Sequence, residues 1–533
     1  MSGGSTPSHN VSNSEEKHSR LENGADYKPD TSRSRDGAKS PSGSVDKDVE
    51  IGPTDNDEEQ QLGIFRKLTR LLLRWGIEVH GITPTTASQR TDKRLYQMFF
   101  IWFAANFNIL GFGTGSAGPA FFGLGLWHSL LILALVDVAA CTVPAYFAVF
   151  GPKLGTRGMV QCRFSWGLYG AAIPSLLNIF SSQGFLILNS IIGGQALAAV
   201  SSKLDATLGI VIIGVASLVI TFFGYKFLHI FESYAWIPNA IAFPILLGLG
   251  GKHLNPLTFP AVDPPTAASV LSFTSFVASS VISWCTFTPD YGVYHDHTAP
   301  TWKTFSFVYS GFLTASISWH MIGAAFAAAA PGVVSWQEGF DGGNDIGGLF
   351  AAVLAPAGGF GKFLLVLIAL STSCACAPTM YTFGMSFMAV APFFARIPRY
   401  VFAVVSAAIL IPLAIIGAKT FYTTLVNVLS IIGYWSTAFA AIILTEHFLV
   451  RKKWSAYNVS EAWDKAHLLP PGVAAILAFI GAFGIIVPSM SQSFYTGPIA
   501  KTGTGDIGVF TGGSVAVGLY AVLRTVEKRI VGR

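Results

Sequence analysis

The chain has 533 residues, of which 51% are hydrophobic and only 12% charged, with a mean hydropathy of +0.52. A soluble protein carries about 25% charged residues, so the composition excludes a soluble globular chain and marks a membrane protein. The formal net charge of +5 resides in tails and loops, so it implies no nucleic-acid surface.

No signal-peptide pattern is read at Met1. Residues 1–61 are rich in Ser, Gly, Asp, Glu, Lys and Pro and nearly free of apolar residues, which predicts a disordered cytosolic tail. Residues 62–94 read as a juxtamembrane segment. Within "LGIFRKLTRLLLRWGIEVHGI" (Leu62 to Ile82), Arg66, Arg70 and Arg74 recur every four residues, and Phe65, Leu68, Leu72 and Trp75 line another face. Such a cationic amphipathic helix suits an anionic membrane surface, or the cytosolic face of the protein itself.

Residues 95–528 then carry twelve apolar runs, where a span needs roughly 20 residues. They fall at about 96–124, 127–150, 164–198, 206–224, 228–249, 267–290, 304–330, 361–391, 399–418, 420–449, 470–488 and 508–527. With the N-terminus in the cytosol, the outer loops receive only Lys203, Lys252, Lys362, Lys419 and Lys501. The other loop lysines and arginines, and the basic tail at 529–533, fall inside. An even span count keeps both termini cytosolic. The expected fold is an all-α polytopic membrane protein of about twelve transmembrane helices.

The first run is interrupted by an unusual density of helix breakers. Gly111, Gly113, Gly115, Gly118 and Pro119 crowd into nine positions of "NILGFGTGSAGPAFFGLGLW". Glycine costs about 1 kcal/mol and proline about 3 in a helix interior. Irregular backbone at membrane depth is tolerated where it lines a cavity or is buried in protein. The sixth run carries a second interruption at Thr288, Pro289, Asp290 and Gly292 in "SVISWCTFTPDYGVYHD". Broken helices at corresponding places in two halves point to a transporter site. Gly113, Thr114 and Gly115 are therefore candidate substrate-binding positions.

Among the ionisable residues, Asp137 in "LILALVDVAAC" and His320 in "SISWHMIGAAF" sit within spans, while Glu232, Asp290 and Glu446 lie near span ends. A charge in the bilayer is a functional candidate, and Asp137 is the candidate for cation coupling. His295 and His297 in "YHDH" read as a solvated turn. The five cysteines are an odd number without disulfide spacing, and Cys374-Ala-Cys376 has no histidine pair beside it. They read as small apolar packing residues, and neither a metal nor a cofactor is expected.

Residues carried by several spans also show a family likeness. "GFGTGSAGPAFFGLGLW", "GPKLGTRGMVQCRFSWGLYG" (Gly151 to Gly170) and "NSIIGGQAL" (Asn189 to Leu197) together resemble the nucleobase–cation symporter-1 family, in its fungal purine–cytosine permease branch. The likeness runs from roughly Gly76 to the C-terminus. It implies two five-helix inverted repeats, a bundle and a scaffold, plus two C-terminal helices. It also implies a cation-driven importer of a nucleobase-like heterocycle working by alternating access at the plasma membrane.

The family places substrate between spans one, three, six and eight. Carried onto this chain, that implies Phe185 and Asn189 in the third span, Trp284 in the sixth and Ser373 in the eighth. An aromatic ring can stack on a planar base, and a carboxamide donates and accepts at once, as a base edge requires. Gln195 has the same chemistry nearer the end of its span. Ser371 and Thr372 are candidates for a sodium site as in bacterial relatives, whereas fungal relatives mostly use protons.

The eighth span departs from the family pattern. An Asn-Asn pair usually precedes the proline there, and Ala375 and Cys376 stand in those places ahead of Pro378. That opens the substrate to pyridoxine, a nucleoside or another heterocycle. It also gives weight to a non-transporting sensor of the same fold. An enzyme is not expected.

Overall fold

The computed structural model describes residues 81–222, 230, 231, 233, 234 and 236–533. The tail at 1–61, the juxtamembrane segment up to residue 80, and Glu232 lie outside the described residues. The described chain is helical apart from a two-stranded hairpin, Ser491–Gln492 with Tyr495–Thr496. Among the described residues, seven helical stretches are long and apolar enough to cross a bilayer, or eight when one bent pair counts as a single span. Two of the seven, 45 and 53 residues long, are each divided by short turns. Ala206–Phe222 and Val473–Ser489 are shorter apolar helices.

The bent pair is α1 (Tyr96–Asn106) and α2 (Ile109–Ala120), which meet at 53°. The second run gives α3 (Leu126–Ala140) and α4 (Thr142–Leu154), and the third gives α5 (Ala172–Ala198). Then follow α6 (Ala206–Phe222), α7 (Ile237–Gly250), α8 (Ala267–Ile282) and α9 (Thr301–Ala329). Two short helices, α10 (Val334–Phe340) and α11 (Ile346–Leu354), lead to α12 (Gly358–Ser371) and α13 (Ser373–Val390). The chain closes with α14 (Arg399–Gly417), α15 (Phe421–Thr445), α16 (Val473–Ser489) and α17 (Gly508–Val531).

The first interruption lies before the glycines, at Phe107 and Asn108. Asn108 serves both helix ends. Its Nδ2 donates to the Ala105 carbonyl at 2.6 Å, and its Oδ1 accepts from the amides of Leu110 at 2.8 Å and Gly111 at 3.3 Å. Asn239 of α7 donates to the Phe107 carbonyl at 2.6 Å. These contacts replace helical hydrogen bonds where water is absent.

The glycine-rich stretch itself is α2, with Pro119 next to its last residue. Its glycines bring two backbones together. A Cβ on Gly115 would stand 1.8 Å from the His320 carbonyl oxygen of α9, and one on Gly323 of α9 would stand 2.0 Å from the Phe112 oxygen. Small residues at such a crossing permit close helix packing in membranes. That packing outweighs the intrinsic helix cost of glycine, so the expected break at Gly113 and Gly115 is corrected to Asn108.

The second interruption begins earlier than expected. α8 ends at Ile282 and the chain continues through two 3-10 turns, Ser283–Thr286 and Thr288–Tyr291. Asp290 Oδ1 accepts from the Gly158 amide at 2.8 Å, and the Thr288 hydroxyl donates to the Pro144 carbonyl at 2.9 Å.

α5 is buried along most of its length and packs against α6, α11, α12, α13, α14 and α15. Around it, α1 and α2 pack on α9, whereas α8 packs on α3. Likewise α14 packs on α5 and α6, and α13 packs on α6 and α5. α17 packs on α16 and α15. Glu446, at the end of α15, is fully buried and pairs with Arg524 of α17 and with Arg451, each at 3.0 Å.

On the face where the described chain begins, a strap bridges two loops. The Thr85 amide donates to the Gly155 carbonyl, and Arg90 donates to the Pro152 and Lys153 carbonyls. Asp92 exchanges backbone hydrogen bonds with Tyr294 and Asp296. Burial holds the His295 imidazole below its ordinary value of 6.5, although the Asp92 carboxylate pulls the other way. Burial also raises the Asp92 carboxyl, but the Arg94 hydrogen bonds outweigh it and hold it at about 2.

Gly115→Ala should force α2 from α9 at a cost of roughly 1–3 kcal/mol, read as a lower melting temperature and lower surface abundance. At Gly518, where a Cβ meets nothing within 4 Å, alanine should leave stability unchanged or raise it by up to about 1 kcal/mol. His295 yields a pH prediction. Below its unfolded value the unfolded chain takes up a proton that the folded chain resists, so its contribution is complete above that value and declines on acidification. Between about pH 7.5 and about pH 5.5 the wild type should lose more thermal stability than His295→Gln does.

Candidate functional site

The two interruptions face one another across a small cavity. The first contributes Ala105, Asn106, Asn108, Leu110, Gly111 and Thr114, and the second contributes Ser280, Val281 and Trp284. α5 adds Phe185, α9 adds Ser316 and His320, and α15 adds Leu429. The wall therefore combines two carboxamides, three hydroxyls, one imidazole and two aromatic rings.

The aromatic rings form a continuous cluster. Phe185 and Trp284 lie 4.9 Å apart between centroids, and Trp284 meets Trp102 edge-on at 5.8 Å. At 4.9 Å no third ring fits between Phe185 and Trp284. Both line the cavity, and in this conformation they do not sandwich a ring between them.

Most of the polar wall is tied to backbone. Asn106 Nδ2 donates to the Trp102 carbonyl at 2.9 Å, the Thr114 hydroxyl to Leu110 at 3.2 Å, and the Ser280 hydroxyl to Val277 at 2.8 Å. His320 is held differently. Its Nδ1 lies 2.9 and 3.1 Å from the two carboxylate oxygens of Asp137 on α3, and both residues are buried.

Of the residues singled out from sequence, Thr114, Phe185 and Trp284 line this cavity, and Asp137 is joined to it through His320. Gly113 and Gly115 lie outside the wall. Gly113 turns toward Ile346 of α11 and Ile192 of α5, and Gly115 toward the α9 backbone. Asn189 is fully buried one turn beyond Phe185 and donates to the Phe185 carbonyl at 2.9 Å, while its Oδ1 has no partner. Ser373 faces Ser217 of α6. The Ser371 and Thr372 hydroxyls donate to the Ile368 and Ala369 carbonyls, and Thr372 lies against Gly193 of α5. α12 and α13 supply no residue to the wall, whereas α9 and α15 do. Gln195 donates to the Asn344 carbonyl at 2.6 Å.

Asn106, Asn108, Ser280, Ser316 and the wall position of His320 were missed from sequence. A usable signal existed. Asn106 and Asn108 are two carboxamides inside an apolar run, and Ser316 and His320 are four apart on one helix face.

Contacts join the elements on both sides of the cavity. Toward the α10–α11 side, the Ser116 and Tyr422 hydroxyls are 2.6 Å apart, and Tyr422 packs near Phe121 and Phe340. Toward the strap, the Tyr291 hydroxyl donates to the Pro378 carbonyl at 2.6 Å, and Tyr381 packs under the Arg157 and Arg399 guanidinium groups.

Residues 84–462 match the family model described as "Permease for cytosine/purines, uracil, thiamine, allantoin". The chain is 33% identical to the purine-cytosine permease fcyB of Emericella nidulans, over 88% of this chain and 92% of that one. It is 34% identical to the purine-cytosine permease FCY21 of Saccharomyces cerevisiae, over 91% and 93%. Its fold is similar to that of Mhp1, a nucleobase-cation-symport-1 family transporter, in a closed conformation with bromovinylhydantoin bound. The TM-score is 0.61 at 18% identity, covering 84% of this chain and 96% of that one. A multi-span helical protein with interrupted helices around a polar and aromatic cavity, matched along most of its length to permeases, is a transporter rather than an enzyme, and the chain belongs to the nucleobase–cation symport-1 family alongside the fungal purine–cytosine permeases.

Proposed function

We propose that the protein imports purine bases and/or cytosine across the plasma membrane by alternating access, driven by a co-transported cation, with protons favoured over sodium. The observation that carries this reading is the cavity at the meeting of two interrupted helices. Its wall offers aromatic faces for a planar ring and carboxamide, hydroxyl and imidazole groups for a polar edge.

The reading includes twelve spans, with both termini cytosolic and the strap on the cytosolic side. Two inverted five-helix repeats are supported by reciprocal packing: the first span on the seventh and the sixth on the second, the third on the ninth and the eighth on the fourth. In this scheme Thr114, Phe185 and Trp284 contact the cargo, and Asp137 belongs to the coupling machinery. Gly113 and Gly115 set the shape of the broken first span. Asn189 adds a base-edge contact when the cavity widens, since its Oδ1 is buried without a partner. Ser371, Thr372 and Ser373 remain secondary candidates on the eighth span.

A second reading rests on one observation. Ala375 and Cys376 are buried where the fungal relatives usually carry two asparagines, so no amide pair is available from that span. The cargo is then another planar heterocycle, such as pyridoxine.

Uptake of radiolabelled cytosine, adenine, hypoxanthine, uracil and pyridoxine, in yeast lacking its own permeases, tests both readings. Saturable cytosine or purine uptake is expected. Uptake of pyridoxine alone favours the second reading, and none at normal surface abundance points to a non-transporting sensor. Trp284→Ala and Asn189→Ala should each weaken apparent affinity by about 1–3 kcal/mol, which is roughly tenfold to a hundredfold. Normal affinity at reduced surface abundance in Asn189→Ala would show that Asn189 only joins helices.

A further inference from the structure

We infer that His320, held by Asp137, is the proton-binding group of this carrier and touches the cargo directly, so that proton and substrate load one cavity cooperatively. This rests on the importer reading above and adds the group that carries the coupling.

The geometry gives the two ring nitrogens separate tasks. Nδ1 lies within 3.1 Å of both Asp137 oxygens, so it donates to the carboxylate. The rest of the ring lies at the cavity wall, with Cδ2 3.8 Å from the position a Gly111 Cβ would take, and Nε2 makes no hydrogen bond to the protein among the described residues. With Nδ1 committed, Nε2 is a lone pair when the imidazole is neutral and an N–H donor when it is protonated. A ring acceptor on the cargo is therefore bound by the protonated form and refused by the neutral one.

The surroundings make the pair sensitive to one proton. Asp137 has no salt-bridge partner other than His320 among the described residues. A carboxylate beside a neutral imidazole leaves a charge of −1 in the membrane interior, and one added proton makes the pair neutral overall. Closing the cavity around the neutral pair costs far less desolvation than closing it around the charged one. The other titratable groups nearby are Cys141, which lies in the field of Asp137, and Tyr309, whose hydroxyl donates to the Val138 carbonyl. α2 and α8 carry no ionisable side chain, and α1 carries only Tyr96 at its far end. On α4, Lys153 donates to the His297 carbonyl and Tyr146 packs on His447.

The pair also sits against the interrupted first span. The backbone contact between α2 and α9 falls at His320 itself, through Gly115. A shift of the broken helix thus bears on the residue that holds the proton. A plain interhelical link between α3 and α9 would account for the hydrogen bonds but not for the place of the His320 ring in the cavity wall.

The test compares wild type, His320→Gln and Asp137→Asn in proteoliposomes with radiolabelled cytosine and adenine. Between about pH 5 and about pH 8, apparent affinity in the wild type should fall about tenfold, and a proton gradient should drive accumulation. His320→Gln should exchange substrate in counterflow with about tenfold weaker apparent affinity, lose proton-driven accumulation and show a nearly flat pH profile. Asp137→Asn should weaken proton-driven accumulation, because the imidazole loses the carboxylate that orients it. Proton-driven accumulation with a wild-type pH profile in His320→Gln overturns the inference. So does wild-type uptake that follows a sodium gradient and ignores pH, though this leaves the permease reading standing. Wild-type protein that moves neither base, even in counterflow, overturns the importer reading, and the coupling inference with it. Should His320→Gln fail to fold, purified wild type in weak buffer decides. Cytosine or adenine addition should draw about one proton from solution, and no proton uptake at any pH overturns the inference.

Discussion

A backbone that leaves the helix at membrane depth must find partners for its amides and carbonyls without water, and the molecule is arranged around the place where it does so. Asn108 caps α2 with its oxygen and the end of α1 with its nitrogen, and Asn239 takes the Phe107 carbonyl. With those groups satisfied, α1 and α2 can meet at 53° instead of running straight. The bend opens the space that Asn106, Gly111 and Thr114 line, and it presents the glycine face of α2 to α9. The second irregular segment, after Ile282, stands opposite, so neither interruption borders lipid alone.

The contacts that close the cavity are few on each side. Ser116 with Tyr422 and Gln195 with Asn344 act on one face. Tyr291 with Pro378 and Asp290 with Gly158 act on the other. A hydrogen bond of this kind contributes about 1 kcal/mol net, so either set can be exchanged for the binding energy of a small ligand. Phe185 and Trp284, tilted against one another, line the cavity between the two sets.

The strongly paired charges lie elsewhere and hold parts still. Glu446 with Arg524 and Arg451 ties α15 to α17. Asp506 accepts from the amides of Ser491 and Gly508 and from Gln492, and bonds the Tyr434 hydroxyl. In both clusters several donors surround one carboxylate, as a buried charge requires. Asp137 is different, because among the described residues its one salt-bridge partner is a histidine, His320.

The sequence by itself determined the solvent, the approximate positions of the helices and the presence of two interruptions. Those properties depend on composition and on runs of about 20 apolar residues, which are local. It also carried the family likeness, and with it Phe185 and Trp284. Tertiary structure alone decided where the first helix breaks. Glycine is a poor helix former in isolation, but Gly115 lies against the His320 carbonyl and Gly323 against Phe112, and packing of that kind has no local signature. The same holds for the site. Asp137 and His320 are 183 residues apart and meet only because α3 and α9 pack together. Whether Asn189 faces a cavity or the helix interior depends on the rotation of α5 among its neighbours, which a four-residue spacing does not specify.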